Sequence, residues 1–580
     1  MLEAQATQTP EADRPPNRFR TGVVMIARLS IVLVYLLAML VIGIVFRRQS
    51  SRNKVEFFLA GRGLGRVLLF FTMAATNFSA FTIFGLSGAG YRIGYAFLPV
   101  MGFGTGFMAL GMYIVGRRIV QLSHARGYVT PSDFISDRYG SRALKWLFSL
   151  VLVVFTLPYL AIQAVASGRS LESLVGIPYA GGALLVTGFI VLYVVFGGMR
   201  SVVWTDVVQA VMMIVFTLAA FILIAWKSGG FVRVNREVYA SFPGLFSRPG
   251  LDGSMLPGVW FGYLFLWFFA DPMFPQLFQR FIAARDVRSL KSTVVLYPLI
   301  TTFLFFLTVS IGVMGRHAFP GLTPRESESV FPLLLGKYAS PVLGTLLLTG
   351  GLAALMSTMD SQLLTLSSIV TLDFVRIRRR EVLVERLVVV ALGALGFLIA
   401  LRPPATILDF INRSSFTGLA VLAPTVIGGL YWKRAHAGAA AASIVAGEAL
   451  TALFYFNVLR APGTLPVVPV VAVTAAVFVL VSLTLPDGTA AGSRRAAGIV
   501  LPIGRESAAR AIPFVLLLAL ACDFWAWGRT PNLFLGLPLW VWYSIGLAVI
   551  LSGAYAVFLR ASPGLGQFPE QGELRKGTRG

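Results

Sequence analysis

The chain has 580 residues, 57% of them apolar and 13% charged, with a formal net charge of +24. A mean hydropathy of +0.78 excludes an ordinary water-soluble domain of this size and points to an all-α polytopic membrane protein. The positive charge invites a nucleic-acid reading, but the basic residues sit in short loops that alternate along the chain rather than on one face or arm, which argues against nucleic acid as a partner.

Apolar runs of about 20 residues, enough to cross a bilayer, begin near Val24, Val67, Ala96, Leu144, Gly181, Val202, Val259, Val294, Val342, Leu387, Ile407, Ala437, Val467, Pro513 and Leu535. This predicts about fifteen spans. The connecting segments are short, the longest running from Lys227 to Leu256, so little is left for a soluble domain. Arg47–Arg48 follows the first run without a small-residue cleavage pattern, so that run reads as a retained span. Basic clusters at Arg47 to Arg66, Arg117 to Arg126, Arg280 to Lys291, Arg376 to Arg380, Lys433–Arg434 and Arg494 to Arg510 fall in alternate loops. The positive-inside rule makes these cytoplasmic, with the N-terminus outside, the C-terminus inside and an odd number of spans.

Two spans carry polar or helix-breaking residues at mid-depth. The second holds Ala74-Ala75-Thr76-Asn77-Phe78-Ser79, and the seventh holds Ala270-Asp271-Pro272-Met273-Phe274-Pro275-Gln276, whose prolines remove backbone donors. Paired interruptions in corresponding places of two halves point to a transporter's binding site, where freed carbonyls can ligate a cation and freed N–H groups an anion. Lying five spans apart, they suit two inverted five-helix repeats, about 65–226 and 257–432, with one helix before and about four after. The expected organisation is an extracellular segment over 1–22, one transmembrane transporter domain over 23–560 and a cytoplasmic tail over 561–580.

A third feature is Met356-Ser357-Thr358-Met359-Asp360-Ser361, inside the apolar run near Val342 to Ile369. On a helix Ser357, Asp360 and Ser361 share a face, and hard oxygens at that depth suggest a small cation. Exposed to lipid, the carboxylate would cost roughly 3 kcal/mol or more, so it is expected to face the bundle interior. Cys522 cannot form an internal disulfide, and His124, His317 and His436 lie at or beyond helix ends, so no zinc-type enzyme site is legible. The Trp residues at 146, 204, 226, 432, 525, 527, 540 and 542 read as interfacial anchors, and Gly102, Gly104 and Gly106 as points of close helix packing.

The chain resembles the sodium/solute symporter family. The resemblance rests on Phe57-Phe58-Leu59-Ala60-Gly61-Arg62, on Gly197-Gly198-Met199-Arg200-Ser201-Val202-Val203-Trp204-Thr205-Asp206-Val207-Val208-Gln209, on Gln279-Arg280-Phe281 and on Ala353-Ala354-Leu355-Met356-Ser357-Thr358, and it runs from about Val24 to Tyr455. It implies a leucine-transporter-type fold, with sodium held by the carbonyls of Ala75, Phe78 and Ala354 and the hydroxyls of Ser357 and Thr358. Some members hold a further sodium at positions matching Asp206, Ser357 and Ser361. Asp360 stands where that second site usually offers a hydroxyl or small residue, which leaves tighter sodium binding or a proton at Asp206, Asp360 and Ser361 both open. Asn77 stands where the proline-type members have an aspartate.

Other roles stay open from the residues alone. Asp206 also suits a helix N-cap, and Asp271 suits a substrate amine, an ion or a structural bridge. Arg413, about 12 Å into its span, suits either a substrate carboxylate or a bridge to Asp409 four residues earlier. The expected function is sodium-coupled import across the plasma membrane of a small polar organic solute, carboxylate-bearing (a monocarboxylate, an amino acid or a vitamin acid), with a sugar or polyol left open, and with Asn77, Ser79, Asp271, Gln276 and Arg413 as solute contacts. Sodium is the coupling ion, and no organic cofactor and no enzyme activity are expected. The competing expectations are a proton-coupled symporter of the same fold and a solute-sensing module.

Overall fold

The computed structural model describes residues 18–45, 54–375, 381–402, 406–407, 415–485, 499–500 and 511–561. Among them the only sheet is a two-residue hairpin, Leu533–Phe534 against Leu537–Pro538, and helices make up nearly everything else. In a bilayer this is forced, because a helix satisfies its backbone internally whereas an open strand cannot. Ten described helices are long and apolar enough to cross a membrane, and the pair Arg66–Asn77 with Phe81–Arg92, bent by 60°, makes an eleventh.

The helix from Tyr179 to Lys227 has 49 residues, about twice what one bilayer core requires. It folds at Gly198 (φ 58°, ψ −160°), a conformation open essentially to glycine, and a Cβ there would lie 2.9 Å from the Phe57 carbonyl oxygen. The runs expected near Gly181 and Val202 are its two arms. Elsewhere boundaries follow ordinary capping chemistry. Asp286 caps Val287–Ala318 by accepting from the Ser289 amide at 2.7 Å, and Ser340 with Pro341 opens Pro341–Ile369.

Close packing is set by small residues. A Cβ on Gly312 would fall 2.0 Å from the Ser87 carbonyl and one on Gly90 2.3 Å from that of Val309, so Leu86–Arg92 and Val287–Ala318 meet backbone to backbone. A Cβ on Gly106 would likewise press on Pro298 at 3.0 Å. The Lys227–Leu256 connection, expected as loop, contains the helix Phe231–Ser241.

The last helix, Leu539–Ala561, packs on the bundle. Ser552 donates to the Val295 carbonyl at 2.6 Å, Tyr555 to that of Phe107 at 3.1 Å, and Lys291 to that of Leu559 at 2.8 Å. Arg248, buried in the connection after Phe231–Ser241, pairs with Asp523 at 2.8 Å and lies over the rings of Trp527 and Trp540 at 5.0 and 4.9 Å. Trp540 is thereby buried against a guanidinium rather than held at a span end as an interfacial anchor would be, whereas Trp527 is half-buried. Trp146, Trp204, Trp226 and Trp525 remain exposed.

Candidate ion and solute site

Both expected interruptions are present. The first helix stops at Asn77, Phe78 is extended (φ −81°, ψ 99°), and the chain resumes in a wide turn at Phe81–Gly85. The second passes from Pro257–Ala270 through a tight turn at Asp271–Met273 into Pro275–Ala283. In the first break the carbonyls lose their helical partners and turn towards Pro341–Ile369. Ser357 Oγ lies 2.9 Å from the Ala75 carbonyl and 3.1 Å from that of Ala354; Thr358 Oγ1 lies 3.1, 3.4 and 3.3 Å from those of Thr76, Phe78 and Ala354.

All five oxygens named for the main sodium site therefore converge, with Ser357 and Thr358 buried. Oxygen–oxygen separations of about 3 Å are those found along the edges of the oxygen shell of a hard cation. The Thr76 carbonyl is an additional oxygen that the sequence did not single out.

One turn below, Asp206, Ser361 and Asp360 form a buried network around Arg280, which the sequence grouped with a cytoplasmic loop cluster but which lies fully buried inside the helix Pro275–Ala283, where Asp206 holds its charge. Arg280 reaches Asp206 Oδ2 at 3.2 Å, Ser361 Oγ at 2.6 Å and Thr72 Oγ1 at 3.2 Å. Asp206 also accepts from Thr72 at 2.5 Å, and Thr76 meets Ser361 at 3.0 Å. Asp360 accepts from Tyr193 at 2.7 Å and from Ser361 at 3.1 Å, so it turns from the Ser357 cluster towards the helix carrying Tyr193. Asp206 lies inside the long helix past Gly198 and caps nothing. An arginine in the half-helix after the second break was the available signal.

On the solute side, Asn77 donates to Asp271 at 3.3 Å and to the Tyr297 hydroxyl at 2.5 Å, joining the two breaks. Ser79 accepts from the Phe81 amide at 3.2 Å, and Gln163 takes the freed Ala80 amide at 3.0 Å. Gln276 is buried with neither amide atom hydrogen-bonded among the described residues. The rings of Tyr159, Trp267 and Phe274 surround Phe416 at 4.9, 5.6 and 4.7 Å between centroids. Arg413 and Asp409 lie outside the described residues.

Beyond the spans, Arg92 at the end of the first broken helix pairs with Glu328 at 3.1 Å and donates to Ser327 at 2.5 Å, closing the segment 324–338 over that helix. Burial pushes the Glu328 carboxyl up to about 7 despite the opposing pull of Arg92 and Arg169. No group of three or more His, Cys, Asp or Glu suited to a metal occurs among the described residues.

The model of the sodium:solute symporter family matches residues 57–447. The sodium/pantothenate symporter of Escherichia coli is 30% identical over 75% of this chain and 92% of its own length. An osmoregulated proline transporter of Bacillus subtilis is 29% identical over 75% and 90%. Among solved structures, a Na+-coupled sialic acid symporter superposes with a TM-score of 0.64 at 19% identity, covering 79% of this chain and 98% of that one. A nucleobase-cation-symport-1 family transporter gives 0.53 at 11% identity, covering 76% and 98%. At these identities the structural likeness is one of fold.

Proposed function

This chain belongs to the sodium:solute symporter family, and from that premise we propose how its residues perform sodium-coupled import. It is a membrane transporter rather than an enzyme, with sodium as coupling ion. In our reading the main sodium site is the cluster of Ala75, Phe78, Ala354, Ser357 and Thr358. The solute site lies between the breaks at Asn77, Ser79, Asp271 and Gln276, with Arg413 as a further contact. The solute is a small polar organic molecule, carboxylate-bearing.

The observation that carries this reading is the meeting of the Ser357 and Thr358 hydroxyls with main-chain oxygens of the first break, from helices far apart in sequence. Five oxygens without a formal charge make a site that binds and also releases. Sodium there ties the broken helix to Pro341–Ile369 and favours the form open to the outside; solute then closes the outer path and the bundle rocks inward. Each charge moved inward across 100 mV contributes about 2.3 kcal/mol, enough for roughly fifty-fold accumulation.

The second position reads differently from the main one. The Arg280 guanidinium already neutralises Asp206 there, so we assign Asp206, Asp360 and Ser361 to a network that braces the sodium site. We further propose fifteen spans with inverted repeats at about 65–226 and 257–432, a leucine-transporter-type arrangement, and a plasma-membrane location with the N-terminus outside. Cysteine accessibility at Thr21 and at Gly577 tests the topology. Function is tested by loading proteoliposomes with potassium, imposing an inward sodium gradient and measuring uptake of a labelled solute panel. Accumulation that collapses without sodium is expected, and uptake indifferent to sodium would overturn the proposal.

A further inference from the structure

Asp271 lies at the centre of the second break, 2% exposed, and among the described residues no basic side chain pairs with it. Its Oδ2 takes one amide hydrogen from Asn77 and its Oδ1 takes nothing. Within five residues on either side stand two more buried polar groups without partners. These are the Trp267 indole N–H, one turn before, and both amide atoms of Gln276, just after. The break thus leaves two acceptors, Asp271 Oδ1 and Gln276 Oε1, and two donors, Gln276 Nε2 and Trp267 Nε1. Native interiors rarely leave so many unmet in a few residues unless something else meets them.

We propose that Asp271 anchors a protonated primary or secondary amine, so that the transported solute is an amino-bearing zwitterion. This rests on the symporter reading above and narrows its solute class. The ammonium donates to Asp271 Oδ1 and Gln276 Oε1, while an acceptor group on the solute takes the Gln276 and Trp267 hydrogens. An ionised carboxylate buried without a cation is costly, and a simple monocarboxylate would add like charge to it. A sodium ion suits the place less well. It needs a shell of about five or more oxygens, whereas the unmet side-chain acceptors here are Asp271 Oδ1 and Gln276 Oε1, with the Tyr297 hydroxyl nearby and Phe78 stacked on the Tyr297 ring at 6.2 Å. An ammonium needs only two or three acceptors and is attracted by ring faces.

The test uses the purified full-length protein and thermal shift in sodium or potassium chloride, with matched pairs: L-alanine against propionate, and L-proline against cyclopentanecarboxylate, with glycine betaine as a zwitterion whose quaternary ammonium carries no N–H. An amino-bearing member is expected to stabilise the protein in sodium, and its partner to act at least about 100-fold more weakly, because a site built for N–H donors rejects analogues without them. In Asp271→Asn the amine response is lost while the sodium midpoint stays where it was. Three results overturn the proposal: a deaminated acid as effective as its partner, no response to any amino-bearing solute, or a sodium midpoint shifted tenfold in Asp271→Asn, which would make Asp271 an ion ligand. The paired comparison on the unmutated protein stands even if the variant misfolds. If sodium itself produces no shift, it is the symport reading that fails.

Discussion

Replacing Arg280 by methionine removes a guanidinium and keeps most of its stem, so the effect can be worked from its contacts. Asp206, fully buried, would keep only the Thr72 hydroxyl at 2.5 Å and the Thr76 hydroxyl at 3.5 Å, with no cation. Breaking a buried pair from one side costs about 3–5 kcal/mol, since the remaining charge stays desolvated. For a chain this long each kcal/mol moves the melting temperature by roughly 1 °C, so Arg280→Met should melt about 3–5 °C lower in sodium-free buffer. Adding Asp206→Asn removes the stranded charge, and the double variant should regain most of the loss, with a coupling of about 2 kcal/mol or more. Fluorescence-monitored unfolding in detergent gives all four corners of the cycle. A single variant as stable as the parent, or a double variant worse than either single, would refute the assignment of Arg280 as the counter-charge of Asp206.

Glu328 gives a pH prediction. Its folded-state value of about 7 lies above the ordinary 4.5, so between those values the folded protein binds more protons than the unfolded chain and stability falls as pH rises. Relative to Glu328→Gln, the parent should therefore gain up to about 1.4 kcal/mol per unit as pH drops from 7 towards 5, read by melting curves across that range. Arg248→Ala should loosen the last helices, with a loss of about 3 kcal/mol from the stranded Asp523, visible as earlier proteolysis near Trp527. Gly312→Leu should abolish the folded bundle on size exclusion, because its Cβ would meet the Ser87 carbonyl at 2.0 Å, whereas Gly321→Ala, with open space around it, should be neutral.

Much of this architecture is legible in the sequence because a bilayer leaves few choices. Runs of about 20 apolar residues mark spans, and Pro272, Pro275 and the Ala74–Ser79 stretch mark where helices cannot stay regular. The hydroxyls of Ser357 and Thr358 stand out because nothing but function or tight packing retains them at that depth. Less legible were partners fixed by tertiary contact. Arg280 sits five residues after Pro275, and only folding brings it to Asp206, 74 positions away. Trp540 looks like an anchor until Arg248 is laid over it, and Asp360 shares a helical face with Ser357 yet bonds to Tyr193 because a neighbouring helix supplies the hydroxyl. Pattern along one helix says which residues point together, not what stands opposite them.

Equilibrium binding of radioactive sodium to the purified protein, compared with Ser357→Ala and Thr358→Ala, bears most directly on the ion site and needs no knowledge of the solute. Each variant deletes one of five ligands while leaving the backbone carbonyls in place, a loss of about 1.4–2.7 kcal/mol, so half-saturation should move about 10–100-fold higher in both. Identical saturation curves in all three proteins would contradict the account.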